Sequence, residues 1–292
     1  MQTTSVIDDQ QFSLDNISPD DARVILAVSF GDASGTMLVD SGAEGSLLSP
    51  EFAKKYGATG SDVNFSMLTI DGPRWTELAT IPNLTFGAAQ FDEIPVGIQN
   101  QVDGVIGFFL NQGATGIMGF PILSRFGRID FHVGASRVNS LTFHRPRDQV
   151  RKGKNPNIMI REEKPYLRIK LEGQTYSCIF DTGAPRSLFS SKIIDRHKTA
   201  LAIDVLSDKD VRERSLGGRG KAEYIDALTF RAGHREIVLD NVHMVEASPA
   251  DSEFCLIGMD AVINAGGARF DIDNLHLFFG PVEARSQAFN LR

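Results

Sequence analysis

One stretch of this chain occurs twice, and a tandem duplication restricts what a sequence can fold into more than any single motif does. Met37-Leu-Val-Asp40-Ser-Gly-Ala-Glu-Gly-Ser46-Leu-Leu-Ser49 is answered by Cys178-Ile-Phe-Asp181-Thr-Gly-Ala-Pro-Arg-Ser187-Leu-Phe-Ser190. Each copy reads as an apolar strand, an Asp-(Ser/Thr)-Gly-Ala turn, a Ser six residues beyond the Asp, and another apolar pair. A lone Asp-(Ser/Thr)-Gly triplet turns up by chance in very roughly one chain in ten of this length. Two copies with matching flanks do not share that discount.

The repeat runs on downstream. Leu84–Val96 answers Leu228–Val238 at similar offsets from the Asp (84 − 40 = 44; 228 − 181 = 47). Gly116-Ile-Met-Gly119 with Arg128-Ile-Asp-Phe131 answers Leu256-Ile-Gly258 with Arg269-Phe-Asp-Ile272 (119 − 40 = 79; 258 − 181 = 77). Each half thus supplies one carboxylate on a Gly-containing turn, and a pseudo-two-fold arrangement would bring Asp40 and Asp181 together. Two carboxylates about 3 Å apart at an effective dielectric of about 20 repel by roughly 5 kcal/mol if both ionise, so such a pair holds one shared proton. A half-protonated pair can take a proton from water with one oxygen and give one to a carbonyl with another, needing neither metal nor covalent nucleophile.

These paired Asp turns, each followed by a short helix and later answered by an apolar-apolar-Gly strand, resemble the aspartic peptidases of the pepsin and retropepsin superfamily. The Ala after Gly and the Ser at the sixth position are closer to retropepsins; two copies in one chain is the pepsin arrangement. The resemblance spans most of residues 20 to 282 and implies a mainly β, two-lobed fold with pseudo-two-fold symmetry and a peptide cleft between the lobes. It implies Asp40 and Asp181 as the catalytic pair, with Ser41 and Thr182 bracing the opposite lobe and Gly42 and Gly183 allowing close approach. Ala43 and Ala184 stand where pepsins carry a hydroxyl that would stabilise the charged dyad, so an optimum at roughly pH 4 to 6 is expected. The apolar-Gly strands are Ile117-Met118-Gly119 and Leu256-Ile257-Gly258. Neither continues as the Gly-Arg-Asn or Gly-Arg-Asp of retroviral dimers, which suits a self-contained monomer.

Composition narrows the alternatives. At 292 residues the chain suits two compact domains, and its net charge of −7 leaves no basic footprint for nucleic acid. Met1 to Asp21 lacks the basic start and apolar core of a secretory signal, and the longest apolar runs are too short to span a bilayer. A cytoplasmic protein with a polypeptide substrate, no cofactor, no metal, no nucleic-acid partner and no membrane contact is expected. The apolar neighbours of Cys178 and Cys255, the two cysteines, favour buried free thiols over a disulfide. His132, His197, His234 and His243 fit no metal or triad pattern and read as surface or strand residues.

Along the chain, residues 1–20 read as an extended or mobile lead-in, 21–145 as the first lobe, 146–156 as a polar linker, 157–282 as the second lobe and 283–292 as a tail. Ser49-Pro50-Glu51 is an N-cap with Pro at the first helical position. Two strands flanking Asp71-Gly-Pro-Arg74 form a hairpin where the family places its flap, which makes Ile70, Asp71, Gly72 and Trp75 flap candidates; the bland reading is a surface hairpin with Trp75 as a core anchor. In the second half the candidate is Leu216, Gly217 and Gly218. Val102-Asp-Gly-Val-Ile-Gly107 competes with Ile117–Gly119 for the first apolar-Gly strand, and the latter matches the second half better. The leading function is an aspartic endopeptidase; the alternative is a peptide-binding module of the same fold with little turnover.

Overall fold

In the computed structural model, the described residues are 5–6, 9–13, 22–69, 72–99, 114–135, 137–148, 155–198, 205–207, 223–245 and 253–282. The first half contributes β1 (Ser5–Val6), β2 (Gln10–Ser13), β3 (Ile25–Phe30), β4 (Ala33–Asp40), β5 (Ser46–Leu48), helix α1 (Pro50–Lys55), β6 (Thr59–Thr69), β7 (Gly72–Phe86), β8 (Ala89–Ile98), β9 (Gly116–Gly119), α2 (Phe120–Leu123), β10 (Arg128–Gly134) and β11 (Arg137–His144). The second half contributes β12 (Ile158–Arg161), β13 (Lys164–Leu171), β14 (Gln174–Phe180), β15 (Leu188–Ser190), α3 (Ser191–His197), β16 (Val205–Ser207), β17 (Glu223–Ala232), β18 (Arg235–Val245), β19 (Cys255–Ile257), α4 (Met259–Asn264), β20 (Gly267–Asp271) and β21 (His276–Phe279). The chain is mainly β with a few short helices, folded as two similar barrel-like lobes.

Each lobe is built on a sheet of eight described strands, β1-β8-β5-β9-β4-β3-β7-β6 in the first and β12-β13-β14-β19-β15-β18-β17-β16 in the second. Alternation fixes which face is inside: Leu26, Val28 and Phe30 of β3, and Leu167, Ile169 and Leu171 of β13, all point to the core. The β13–β14 hairpin turns at Glu172 and Gly173, both with positive φ (45° and 80°), the geometry that matches strand twist in a two-residue turn. Ser49 caps α1 as the sequence predicts, its Oγ accepting from Phe52 N with Pro50 in the first turn.

A third sheet belongs to neither half alone. Its order is β2-β11-β10-β20-β21, and β10 and β20 pair antiparallel with Arg128 opposite Asp271 and Asp130 opposite Arg269. The repeated Arg-X-Asp segments are therefore each other's partners across the pseudo-two-fold. Asp130, 4% exposed, accepts from Arg269 Nε at 3.1 Å and meets Arg128 Nε at 3.2 Å and His144 Nε2 at 3.1 Å. Burial alone would raise its pKa, but hydrogen bonds from His144 and Arg269 and the charge of Arg128 outweigh that and hold it low. Beneath this sheet the lobes share one core, in which Phe131 packs edge-on against Phe180 and Phe120 stacks with Phe270.

The lead-in is less loose than the sequence suggests. Ser5–Val6 pairs with β8 and Gln10–Ser13 with β11, because Phe12 finds a seat between the rings of Phe86 and Phe143 at 5.8 and 5.6 Å. His197 also departs from expectation: it is buried at the end of α3, its Nε2 2.7 Å from the hydroxyl of Tyr176. Residues 283–292 lie outside the described residues.

Candidate active site

Parallel strand pairs deliver both Asp turns. In the first lobe β4 runs beside β9, with Asp40 opposite Gly119; in the second β14 runs beside β19, and Asp181 N donates to Ile257 O at 3.0 Å. Ile117-Met118-Gly119 and Leu256-Ile257-Gly258 thus flank the turns, while Val102–Gly107 lies outside the described residues. The Ser at the sixth position has a mechanical purpose: Ser46 Oγ accepts from Gly119 N at 3.1 Å and Ser187 Oγ from Gly258 N at 3.0 Å, fastening each turn to its neighbouring strand.

The two turns meet. Asp40 and Asp181 hydrogen-bond to each other through their carboxyls. Gly42 N and Ala43 N donate to Asp40 Oδ1 at 2.9 and 3.0 Å, and Gly183 N and Ala184 N donate to Asp181 Oδ1 at 2.8 and 3.1 Å. A Cβ on Gly42 would stand 2.4 Å from Asp181 Cγ, and one on Gly183 2.5 Å from Asp40 Cγ, so any side chain there would drive the carboxyls apart.

Ser41 and Thr182 lock the approach reciprocally. Ser41 Oγ donates to Phe180 O (2.7 Å) and accepts from Thr182 N (3.0 Å); Thr182 Oγ1 donates to Val39 O (2.8 Å) and accepts from Ser41 N (3.0 Å). All four bonds cross between lobes and are buried, where net stabilisation per bond is about 1 kcal/mol but an orphaned partner costs more. Burial pushes the Asp40 carboxyl well above the ordinary carboxylate range, and the charge and hydrogen bond of Asp181 push it further. Asp181 is raised as well, chiefly by burial, while hydrogen bonds from Asp40, Gly183, Ala184 and Gly42 pull it partly back. Such a pair titrates as a unit and keeps one proton between its members.

Residues 26–121 match a family described as aspartyl protease. That likeness runs from β3 to the start of α2 and covers the first half of the chain only. A comparison with curated proteins gave no match. The aspartyl protease match takes in the Asp40 turn, the β6–β7 hairpin and the Gly119 strand; the second copy resembles it by repeat and by geometry.

Around the protease-like turns, the lobes differ. At the fourth position after the Asp, Glu44 reaches across to Lys164, whose Nζ lies 3.1 Å from Glu44 Oε2 and which is only 7% exposed; the matching residue of the second lobe is Pro185. Two small apolar clusters separate from the main core flank the turns and are related by the repeat: Leu38, Leu47 and Ile117 in the first lobe, Ala184, Leu188 and Leu256 in the second.

The β6–β7 hairpin exists, with Thr69 opposite Gly72, though its tip residues Ile70 and Asp71 lie outside the described residues. Trp75 beside the tip is 77% exposed, so it is not a core anchor; its neighbour Thr76 takes the inward face, donating to Gln99 Oε1. Leu216, Gly217 and Gly218 also lie outside the described residues. Among the described residues, no group of three or more His, Cys, Asp or Glu is arranged to hold a metal ion, and no helix is long and apolar enough to cross a membrane.

The cysteines overturn one expectation: Cys178 and Cys255 form a disulfide, joining β14 to β19 just before Asp181 and Gly258. Apolar neighbours are compatible with either state, and the decisive fact is register, since Ile179 pairs with Leu256 and so brings the preceding residues side by side. The repeat carries the missed signal. The first-lobe counterparts, Met37 and Gly116, are also cross-strand partners, so the two cysteine positions could have been read as adjacent.

Proposed function

We propose that this chain is an aspartic endopeptidase that hydrolyses polypeptide through Asp40 and Asp181. The observation that carries the reading is the mutual hydrogen bond of the two raised carboxyls at the meeting point of the lobes. The ionised carboxylate accepts a proton from a water as its oxygen attacks the scissile carbonyl carbon, and the protonated carboxyl donates to the carbonyl oxygen. Collapse of the resulting diol breaks the C–N bond, with a proton delivered to the leaving amine. Gly42 and Gly183 keep the gap narrow, Ser41 and Thr182 hold it, and Ala43 and Ala184 offer the dyad no side-chain donor.

The apolar clusters beside the turns support apolar side chains around the cut. Both carboxylates in one chain support a monomer with lobes near 21–145 and 157–282, and the dyad chemistry calls for no cofactor. The cytoplasmic location expected from the sequence sits uneasily with the Cys178–Cys255 bond, which persists best in oxidising compartments. The test is cleavage of a mixed peptide library from pH 3 to 8. Asp40→Asn and Asp181→Asn should each lose at least about 10²–10⁴-fold in rate. Normal turnover in either variant would overturn the proposal.

A further inference from the structure

The two Asp turns are not fastened to their neighbouring strands in the same way. Two stitches are common to both halves. Phe120 N donates to Ala43 O at 2.9 Å and Gly119 N to Ser46 Oγ at 3.1 Å in the first; Met259 N donates to Ala184 O at 2.9 Å and Gly258 N to Ser187 Oγ at 3.0 Å in the second. Two residues beyond each Gly the copies part, for the first carries Pro121 and the second Asp260.

Asp260 adds three bonds between the start of α4 and the loop that follows Asp181. Its N donates to Pro185 O at 3.1 Å, its Oδ2 accepts from Ser187 N at 2.8 Å and its Oδ1 accepts from Ser187 Oγ at 2.6 Å. Pro121 has neither an N–H nor a carboxylate, so the first half cannot make these bonds at that position. The single hydrogen of the Ser187 hydroxyl goes to Asp260 while its oxygen accepts from Gly258 N. Gly258 follows Ile257, whose carbonyl accepts from Asp181 N at 3.0 Å, so the run of contacts from Asp260 through Ser187 and Gly258 ends at the backbone of Asp181.

The carboxyl does not serve this joint by adding stability. Burial raises its pKa above the ordinary carboxylate range, while hydrogen bonds from Ser187 and Ala261 and the charge of Arg186, in the same loop, pull it partly back. A raised carboxyl contributes stability below its unfolded pKa and forfeits it as pH rises, so near neutral pH the ionised Asp260 weakens the fold relative to a neutral group. A carboxylate that served stability would show the opposite shift.

We propose that Asp260 is a positioning residue for peptide hydrolysis, holding the Asp181 carboxyl against that of Asp40 by way of Ser187 and Gly258 and leaving the Asp40 turn to its own two stitches. The inference rests on the peptidase reading for the reaction, though not for the geometry. The two members of the dyad are then held unequally, and Asp181 is the one whose placement answers to a carboxylate outside the turns. Widening the gap between two carboxylates from about 3 to about 4 Å at an effective dielectric of about 20 brings their two proton-release steps closer by about one pH unit. A displacement of that size also lowers rate by up to about 100-fold.

The experiment reads the dyad directly and turnover separately. Protein with isotope-labelled Asp carboxyls is titrated by NMR, the dyad signals being assigned through their loss in Asp40→Asn and Asp181→Asn, and peptide cleavage is measured at about pH 6. Asp260→Ala should draw the two dyad steps together by about one pH unit and lower kcat roughly 10- to 100-fold, with KM changed by less than about threefold. Asp260→Asn, which keeps one acceptor oxygen and nearly the same volume, should show a smaller change in the same direction and decides the matter if the Ala variant does not fold. Because Asp260 acts through Ser187, the Asp260→Ala/Ser187→Ala double variant should be no worse than Ser187→Ala alone. Dyad steps within about 0.2 pH units of wild type in both Asp260 variants overturn the positioning role, whatever happens to melting temperature or kcat. Shifted dyad steps in a protein that cleaves no peptide overturn the peptidase reading and leave the hold of Asp260 on the Asp181 turn standing.

Discussion

Removing the Cys178–Cys255 bond tests how the second lobe is held together. The bond closes a loop with a sequence separation of 77 in the strand that delivers Asp181. Releasing that constraint on the unfolded chain corresponds to about 4.5 kcal/mol in the chain-entropy treatment. With an unfolding entropy of about 2.1 cal/mol/K per residue, a cooperative melt of the whole chain would drop by about 7 °C, whereas a second lobe of about 125 residues melting alone would drop by about 17 °C. The shared β10–β20 sheet and common aromatic core favour the smaller figure. The assay is differential scanning calorimetry of wild type against the Cys178→Ala/Cys255→Ala double variant, with thiol titration of denatured, unreduced wild type as control. A melt within about 1 °C of wild type refutes the entropic argument, and two titratable thiols in the control refute the bond itself.

Other expectations follow from the site. Both dyad carboxyls are raised, so the native state holds a proton that the unfolded chain has released; their contribution to stability is complete below about pH 4 and is lost as pH rises through the raised values. Asp40→Asn should therefore gain stability relative to wild type at pH 7 compared with pH 3 in urea titrations, and an equal difference at both would contradict the shift. Ser41→Ala orphans Thr182 N and Phe180 O in a buried setting, and urea melts should show a loss of about 2–4 kcal/mol. Gly183→Ala should fold but lose most activity, because its Cβ intrudes on Asp40; circular dichroism and peptide cleavage measured together decide this. Asp130→Ala leaves Arg128 and Arg269, whose side chains are 24% and 41% exposed, without their shared carboxylate and should cost about 1–2 kcal/mol in chemical denaturation.

The duplication made most of the frame legible. Period-2 patterning around Leu26–Phe30 and Leu167–Leu171, the Pro50 helix start and the Gly119 and Gly258 strands all follow from local chemistry, and the repeat converted them into two lobes. What escaped was relational. Nothing local in Phe12 says that its pocket lies between Phe86 and Phe143, far along the chain, so the lead-in looked free. The apolar neighbours of Cys178 and Cys255 suit a thiol or a disulfide equally, and only the strand register that sets them side by side decides between them. Likewise, Arg128-Ile-Asp and Arg269-Phe-Asp were visible as sister motifs, but the repeat alone does not say that they pair with each other.

The shared sheet also governs how the dyad can be inherited by altered proteins. Because Arg128–Asp271 and Asp130–Arg269 are opposed across β10 and β20, a change to one sister strand has to be answered on the other. Grafting either lobe onto a foreign partner would bring an Asp turn but leave half a seam. The workable unit of exchange is therefore the pair of sister strands together, with the turns travelling as passengers on a joint that only the matched halves can make.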